Sequence, residues 1–346
     1  MRKAAIITIY DEANSGNRLQ NYAVQEVLKR HGLDPVTLRN IRIVDGINYL
    51  DEAKKINPKR REKFLNFNKN IIVSNDIIYH DRVPEDLKDR YDMFVIGSDQ
   101  VWNWDFQDRF SEFSFGSFAP KEKVIAYAAS FGIDFIDDKH IDEYKKIDNI
   151  SKISVREKSG LTILANQFSI RNAVHVIDPT MMLTGEEWLN VCTKPEVFPD
   201  RKYIFTYFLG NMSDERRKAI DTFARENDYE IVDFSDENGK YYYSGPSEFV
   251  YYIANAEAIL CDSFHACAFS IVFNKPFTYM PREGATSNMS TRLVSLFDMF
   301  KIDNGILIDN DIASYKLIKD YDKINPILDE KREEANEFLR DALKEE

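Results

Sequence analysis

Short apolar runs of strand length alternate along this chain with segments in which apolar positions return at helical spacing. Ala4–Tyr10 predicts a first strand, Asn17–His31 a helix stopped by Gly32, and Val36–Leu38, entered from Pro35, a second strand. The same pattern predicts strands at Asp92–Ile96, Val124–Ala129, Ile153–Arg156 and Val174–Ile177. Helices are predicted between them at Lys59–Ile71, Asp137–Asn149 and Glu157–Asn166. This βαβ alternation predicts a doubly wound α/β domain.

The alternation pauses after Trp188, where Cys192–Lys202 carries Pro195, Pro199 and charged neighbours and reads as a linker. It then restarts with strands at Tyr203–Phe208, Glu230–Phe234, Ala258–Cys261 and Phe277–Met280. Helical segments at Ser213–Asn227, Ser247–Ala254, Phe264–Phe273 and Thr291–Phe300 complete a second Rossmann-like order. A charged segment of helical pattern runs from Asn325 to the end. The expected division is therefore a first domain over 1–195, a second over 200–325 and a closing helix over 326–346.

Composition narrows the functional classes. A chain of 346 residues with 44% hydrophobic content buries enough surface for two cores. Its formal net charge of −12 opposes nonspecific attraction to nucleic acid, which is not expected as a partner. Cys192, Cys261 and Cys267 contain no C-x-x-C pair, so neither a disulfide framework nor a zinc site is suggested and a reducing cytoplasm fits. No apolar stretch reaches the length of a membrane span, and the run before Asp11 and Glu12 is too short for a signal peptide, so a soluble protein is expected. Asp178, in Asp178-Pro-Thr180, has no histidine at metal-ligand spacing, and no metal or cofactor is called for.

Several polar clusters interrupt the pattern where strands end. Asn14-Ser-Gly16-Asn17 follows the first strand and opens the first helix, as an anion-holding turn or an ordinary capped one. Gly97-Ser98-Asp99-Gln100-Val101-Trp102 follows the strand predicted at Asp92–Ile96, at the carboxyl edge where open α/β sheets bind ligands. Its Asp99 and Gln100 suit sugar hydroxyls, and Trp102 is either a stacking face or a core residue. Arg156 ends another strand beside Glu157; its fork suits a carboxylate or phosphate ligand, or a salt bridge with that neighbour.

The most informative stretch is Cys261-Asp262-Ser263-Phe264-His265. A buried strand runs into a residue pair able to cap a helix, and the first turn of that helix carries an ionisable ring near free backbone N–H groups. The other histidines, His31, His80, His140 and His175, lack that placement. Cys267, two positions further on inside an apolar helix, reads as core.

Taken together, these segments resemble the polysaccharide pyruvyl transferase family from Ile6 to about Phe300. The pieces that carry the resemblance are Asn14-x-Gly-Asn17-x-Leu-Gln20-x-Tyr22-Ala, Gly97-Ser-Asp-Gln-Val-Trp102, Ala129-Ser-Phe-Gly132, Ser154-Val-Arg-Glu157 and Asp178-Pro-Thr180, followed by Gly245-Pro-x-Glu248-Phe and Asp262-Ser-Phe-His265 through Asn274-Lys-Pro276-Phe277. The resemblance implies a GT-B-like fold, two Rossmann-like doubly wound domains facing a central cleft. It also implies transfer of the enolpyruvyl group of phosphoenolpyruvate to a sugar diol, forming a pyruvate ketal in surface polysaccharide synthesis.

By the same resemblance, His265 and Arg156 are the catalytic residues, and Arg156, Ser263, His265 and Arg292, in Asn288-Met-Ser-Thr-Arg292, bind the donor. Asn17, Asp99, Gln100 and Trp102 would serve the acceptor, a glycan or lipid-linked sugar that would hold a cytoplasmic protein near the inner face of the membrane. Some family members have an acidic residue where this chain has Asn17, which cannot act as a base; either the acceptor is oriented differently or another carboxylate, Asp99 or Asp11, takes that work. A nucleotide-sugar glycosyltransferase and a non-catalytic sugar or phosphate binding protein stay open as alternatives, because one architecture hosts many functions.

Overall fold

The computed structural model describes residues 1–11, 13–41, 43–44, 47–48, 57–79, 82–104, 112–284, 291–302, 312 and 317–344. His80 and the 288–290 stretch before Arg292 lie outside the described residues. The chain forms two units, one of residues 1–56, 65–182 and 330–346, the other of residues 57–64 and 183–329.

The first unit is built on seven parallel strands. In chain order its elements begin β1 (Arg2–Ile7), α1 (Ser15–Arg30), β2 (Leu33–Ile41), the small antiparallel pair β3 (Ile43–Val44) and β4 (Ile47–Asn48), and the end of α2 (Pro58–Asn68), a helix whose residues 58–64 belong to the second unit. They continue with β5 (Val73–Tyr79), α3 (Leu87–Arg90), β6 (Met93–Gly97), α4 (Glu112–Phe115), β7 (Val124–Ala129), α5 (Ile141–Tyr144), β8 (Lys152–Val155), α6 (Lys158–Gln167) and β9 (Val174–His175). The strand order is β5-β2-β1-β6-β7-β8-β9. Ala4, Ala5, Ile6 and Ile7 are buried along the central strand β1, as a parallel sheet covered on both faces requires. Pro35 lies in β2 opposite Ala4, where β5 has not yet begun to pair, so its missing N–H breaks no ladder bond on that side.

The second unit adds α7 (Gly185–Asn190), β10 (Tyr203–Tyr207), α8 (Asp214–Glu226), β11 (Glu230–Asp233), α9 (Pro246–Asn255), β12 (Ala258–Cys261), α10 (Phe264–Val272), β13 (Phe277–Tyr279) and α11 (Thr291–Met299). Its four parallel strands are ordered β11-β10-β12-β13. Thr184 caps α7 in a capping box with Glu187, and Ser213 caps α8 by accepting from the Arg216 amide. The last helix, α12 (Tyr321–Ala342), starts before the predicted Asn325 and carries Pro326 within it. Its later residues pack on the first unit, where Arg332 Nε donates to the Met181 carbonyl (2.8 Å) and Lys152 pairs with Asp341 (2.7 Å).

Two differences from the sequence pattern have physical causes. Strand β5 escapes the apolar pattern because it is a sheet edge: Ile78 is buried, while Ile77, Tyr79 and Asp76 face water. The single helix expected over Asp137–Asn149 is a 3₁₀ turn at Asp138–His140, α5, and a second 3₁₀ turn at Lys145–Asn149. Ile141, Tyr144, Ile147 and Ile150 all pack on the core, and their spacing of three residues matches the 3₁₀ period. Among the described residues no helix is long and apolar enough to cross a membrane.

Gly97 closes β6 against its neighbour: a Cβ there would lie 2.5 Å from the Tyr127 carbonyl oxygen. Gly97→Ala should therefore cost about 1–3 kcal/mol of unfolding free energy, as overpacked sites do. Urea denaturation checks this; an unchanged midpoint would show that β6 and β7 separate freely there.

Candidate active site

In both sheets the strand order reverses beside the first strand, at β1/β6 and at β10/β12. Crevices at such reversals, outside the carboxyl ends of the strands, are where open α/β sheets take ligands. Each edge carries a polar cluster.

On the first edge the cluster is organised by one guanidinium. Arg156, just past β8, has a fully buried side chain, with Nη1 2.6 Å from Asp178 Oδ2 and Nη2 3.3 Å from Asp99 Oδ1. Its Nε lies 4.0 Å from Glu157 Oε2, and Ser98 Oγ joins Asp178 Oδ2 at 3.4 Å. Burial disfavours the charged form, but attraction to Asp178, Asp99 and Glu157 outweighs it and leaves the guanidinium pKa above its ordinary value.

The three carboxylates each hold a loop. Glu157 Oε1 accepts from the Phe131 and Gly132 amides (2.6 and 3.1 Å), and Asp178 Oδ1 from the Thr180 amide and hydroxyl (2.9 and 2.7 Å). Asp99 Oδ1 accepts from the Gln100 amide (2.9 Å) and Oδ2 from Asn17 Nδ2 (2.8 Å). Asp99 also takes a left-handed backbone, φ 67°, which sends its carbonyl to the amides of Val101 and Ser130 (2.8 and 3.1 Å). Of the four charged groups only Asp99 reaches solvent, at 14% side-chain exposure.

The remaining residues expected here are inward-facing. Asn17 is buried at the start of α1, and its amide also donates to the Ile9 carbonyl (2.9 Å), tying the end of β1 to Asp99. Gln100 Oε1 accepts from Asn103 Nδ2 (2.9 Å). Trp102 is core: it is fully buried, stacked on Phe115 and packed against Phe131, with Nε1 donating to the Ser114 carbonyl (3.2 Å). It turns no ring face to solvent, so stacking on a sugar is not available to it in this arrangement.

On the second edge Asp262 plays the organising part. Its carboxylate accepts from the Leu209 and Gly210 amides (2.7 and 2.8 Å) and faces Arg282 Nε at 3.4 Å, which fixes the turn after β10 beside the end of β12. Ser263 caps α10 by accepting from the Ala266 amide (3.4 Å). His265 is the second residue of that nine-residue helix; it is half-buried and meets Phe264 edge-to-face at 5.3 Å. Arg292 of α11 lies over the same phenyl ring at 5.8 Å, so Phe264 carries His265 and Arg292 around it. Cys267 is wholly buried, 3.6 Å from Cys261, and burial pushes its thiol well above the usual range, which suits core and not nucleophile.

Sequence reasoning reached Asn17, Asp99, Gln100, Trp102 and Arg156 on the first sheet and Ser263, His265 and Arg292 on the second. It missed Asp262 as the clasp of the β10 turn and Arg282 as its partner, since both contacts span distant segments. Among the described residues no group of three or more His, Cys, Asp or Glu side chains could hold a metal ion.

Comparison with known proteins adds the family. A family model described as polysaccharide pyruvyl transferase matches residues 14–283. No curated relative matches the chain. Among solved structures, UDP-GlcNAc 2-epimerase from Methanocaldococcus jannaschii is similar with a TM-score of 0.53 at 12% identity, covering 95% of this chain and 92% of that one. UDP-GlcNAc 2-epimerase from Neisseria meningitidis, bound to UDP-GlcNAc, has a TM-score of 0.51 at 10% identity over 100% of this chain and 95% of that one. The glycosyltransferase SnogD from Streptomyces nogalater has a TM-score of 0.51 at 9% identity over 99% of both chains. At such identities the likeness is one of fold, and the fold is GT-B-like.

The buried charge cluster makes a stability prediction. Arg156→Gln leaves three carboxylates without their cation and should cost about 3–5 kcal/mol, the usual loss on breaking a buried ion pair. Chemical denaturation measures it, and a loss below about 1 kcal/mol, as for an exposed pair, would contradict the arrangement.

Proposed function

The chain belongs to the polysaccharide pyruvyl transferase family, and from that premise we propose that it transfers the enolpyruvyl group of phosphoenolpyruvate to two hydroxyls of one sugar. The product is a pyruvate ketal on a glycan or lipid-linked sugar, made for a surface polysaccharide. The observation that carries this reading is the placement of His265: a half-buried imidazole in the first turn of α10, directly after a strand at the carboxyl edge of a parallel sheet. Helix-start amides favour anions, and phosphoenolpyruvate is anionic at both its phosphate and its carboxylate.

Each residue then has a task that its chemistry suits. His265 gives a proton to the methylene carbon of the donor, and the adjacent carbon, now electron-poor, takes the oxygen of the first sugar hydroxyl. That hydroxyl loses its proton to the now neutral His265 imidazole as the C–O bond forms. The second hydroxyl attacks the same carbon; the bond from carbon to phosphate oxygen breaks, and inorganic phosphate leaves with the electron pair and takes up the second hydroxyl's proton. Ser263 and Arg292 hold the donor's anionic groups near His265. Arg156 serves by holding Asp99, whose accessible carboxylate receives the acceptor hydroxyls.

Incubation with phosphoenolpyruvate and a panel of glycans bearing neighbouring free hydroxyls should release phosphate and yield an acid-labile ketal in equal amounts. His265→Gln keeps the size of the side chain and loses the titrating proton, so kcat should fall by about 10²–10⁴ while KM for phosphoenolpyruvate changes less. Full activity in that variant would remove His265 from proton transfer. Consumption of a nucleotide sugar with phosphoenolpyruvate untouched would replace pyruvyl transfer by glycosyl transfer.

A further inference from the structure

One buried cation of the second unit has no part in the reaction described above. Arg60, on α2, is 9% exposed, and among the described residues no carboxylate pairs with it. Its guanidinium donates to the Tyr242 carbonyl (2.8 Å) and otherwise lies over three aromatic rings, Tyr242 at 4.5 Å, Phe234 at 5.5 Å and Phe64 at 5.7 Å. Carboxylates are present one turn away, but Glu196 and Glu248 pair with Lys63 instead (2.9 and 3.3 Å). A charge withdrawn from water normally has an anionic partner, and aromatic faces offset only part of the cost of doing without one.

The surroundings of Arg60 place it at the carboxyl edge of the second sheet. Phe234 follows β11 directly, and the neighbouring strand β10 ends at Tyr207. The Tyr207 ring meets Phe234, one of the rings beneath Arg60, edge-to-face at 5.5 Å, and its carbonyl accepts from the amide of Asp262 (3.2 Å), the residue Arg282 faces; burial raises the Tyr207 pKa, so the hydroxyl stays a donor. Asp262 is already engaged by two backbone amides and Arg282, which leaves Arg60 as the uncompensated charge of the group. Lys59, over the Tyr243 ring at 5.7 Å, adds a second cation beside Tyr242.

We propose that Arg60, with Arg282 and the Tyr207 hydroxyl, forms a subsite for the phosphate of a phosphorylated substrate. The fork of an arginine on an aromatic bed is preorganised for a phosphate oxygen pair, and the tyrosine supplies a neutral third donor. The phosphate can come from two sources, phosphoenolpyruvate itself or the diphosphate of an activated or lipid-linked sugar; assigning it to the former rests on the reaction proposed above.

Isothermal titration of the full chain with phosphoenolpyruvate, pyrophosphate and pyruvate tests the subsite. In Arg60→Gln the phosphate-bearing probe that uses the subsite should bind at least tenfold more weakly, with pyruvate affinity and melting temperature held; Arg60→Lys should fall between. Weakening of phosphoenolpyruvate alone assigns the donor, and of pyrophosphate alone a sugar diphosphate. Should Arg60→Gln fail to fold, Tyr207→Phe, which removes only the hydroxyl, should weaken the same probe. Wild-type affinity for both phosphate probes in the variants, or no binding of either to the wild type, overturns the subsite. Ketal formation with unchanged KM in Arg60→Gln, together with wild-type binding of pyrophosphate, would sink the subsite and leave pyruvyl transfer standing. Pyrophosphate binding that depends on Arg60, in a protein that never consumes phosphoenolpyruvate, would do the reverse.

Discussion

Arg156 reaches from the end of β8 into a dry space where Asp178, Asp99 and Glu157 converge, and the loops of the first sheet edge depend on that convergence. Each carboxylate needs the cation to remain buried and ionised, and each spends its other lone pairs on backbone amides: Phe131 and Gly132 after β7, Thr180 after its turn, Gln100 after β6. Removing the charge would release several loops at once. The cluster is therefore a means of fixing geometry, and Asp99 is its one member open to solvent.

The second edge solves the same problem with a different balance of charge. Asp262 fixes the β10 turn through two amides and turns its remaining face to Arg282, while Ser263 completes the cap of α10. His265 is thus carried on a helix whose start is held from both sides, so its ring is placed by packing and not by chance. The two edges differ in their surplus: one cation faces three carboxylates on the first, whereas Arg60 on the second has aromatic rings and a carbonyl but no carboxylate among the described residues. The anionic substrate proposed above would complement the second arrangement.

Much of this was legible in the sequence where burial and local pattern agree. The wholly buried strands β6 and β7 and the buried Ala4–Ile7 run of β1 read directly as apolar runs, and the Ser263 cap and the position of His265 follow from adjacent residues. Strand β5 was hidden because an edge strand alternates too much polar surface to stand out, and Asp137–Asn149 was misread because a spacing of three mimics a helix with few residues to judge by. The partners of Arg156 were out of reach for another reason. Glu157 is its neighbour in sequence, but Asp178 and Asp99 lie 22 and 57 residues away and meet it only once β6 and β8 are in register with β7. Arg60 was the least visible of all: within Lys59-Arg60-Arg61-Glu62-Lys63 it looks like one more residue of a solvated helix face.

The donor proposed from the family carries phosphate and carboxylate, and a melting-temperature titration compares that donor with its competitors most directly. Phosphoenolpyruvate should raise the midpoint of unfolding in proportion to its occupancy, and uridine or guanosine diphosphate sugars at equal concentration should not. A rise with a nucleotide sugar, and none with phosphoenolpyruvate, would contradict pyruvyl transfer.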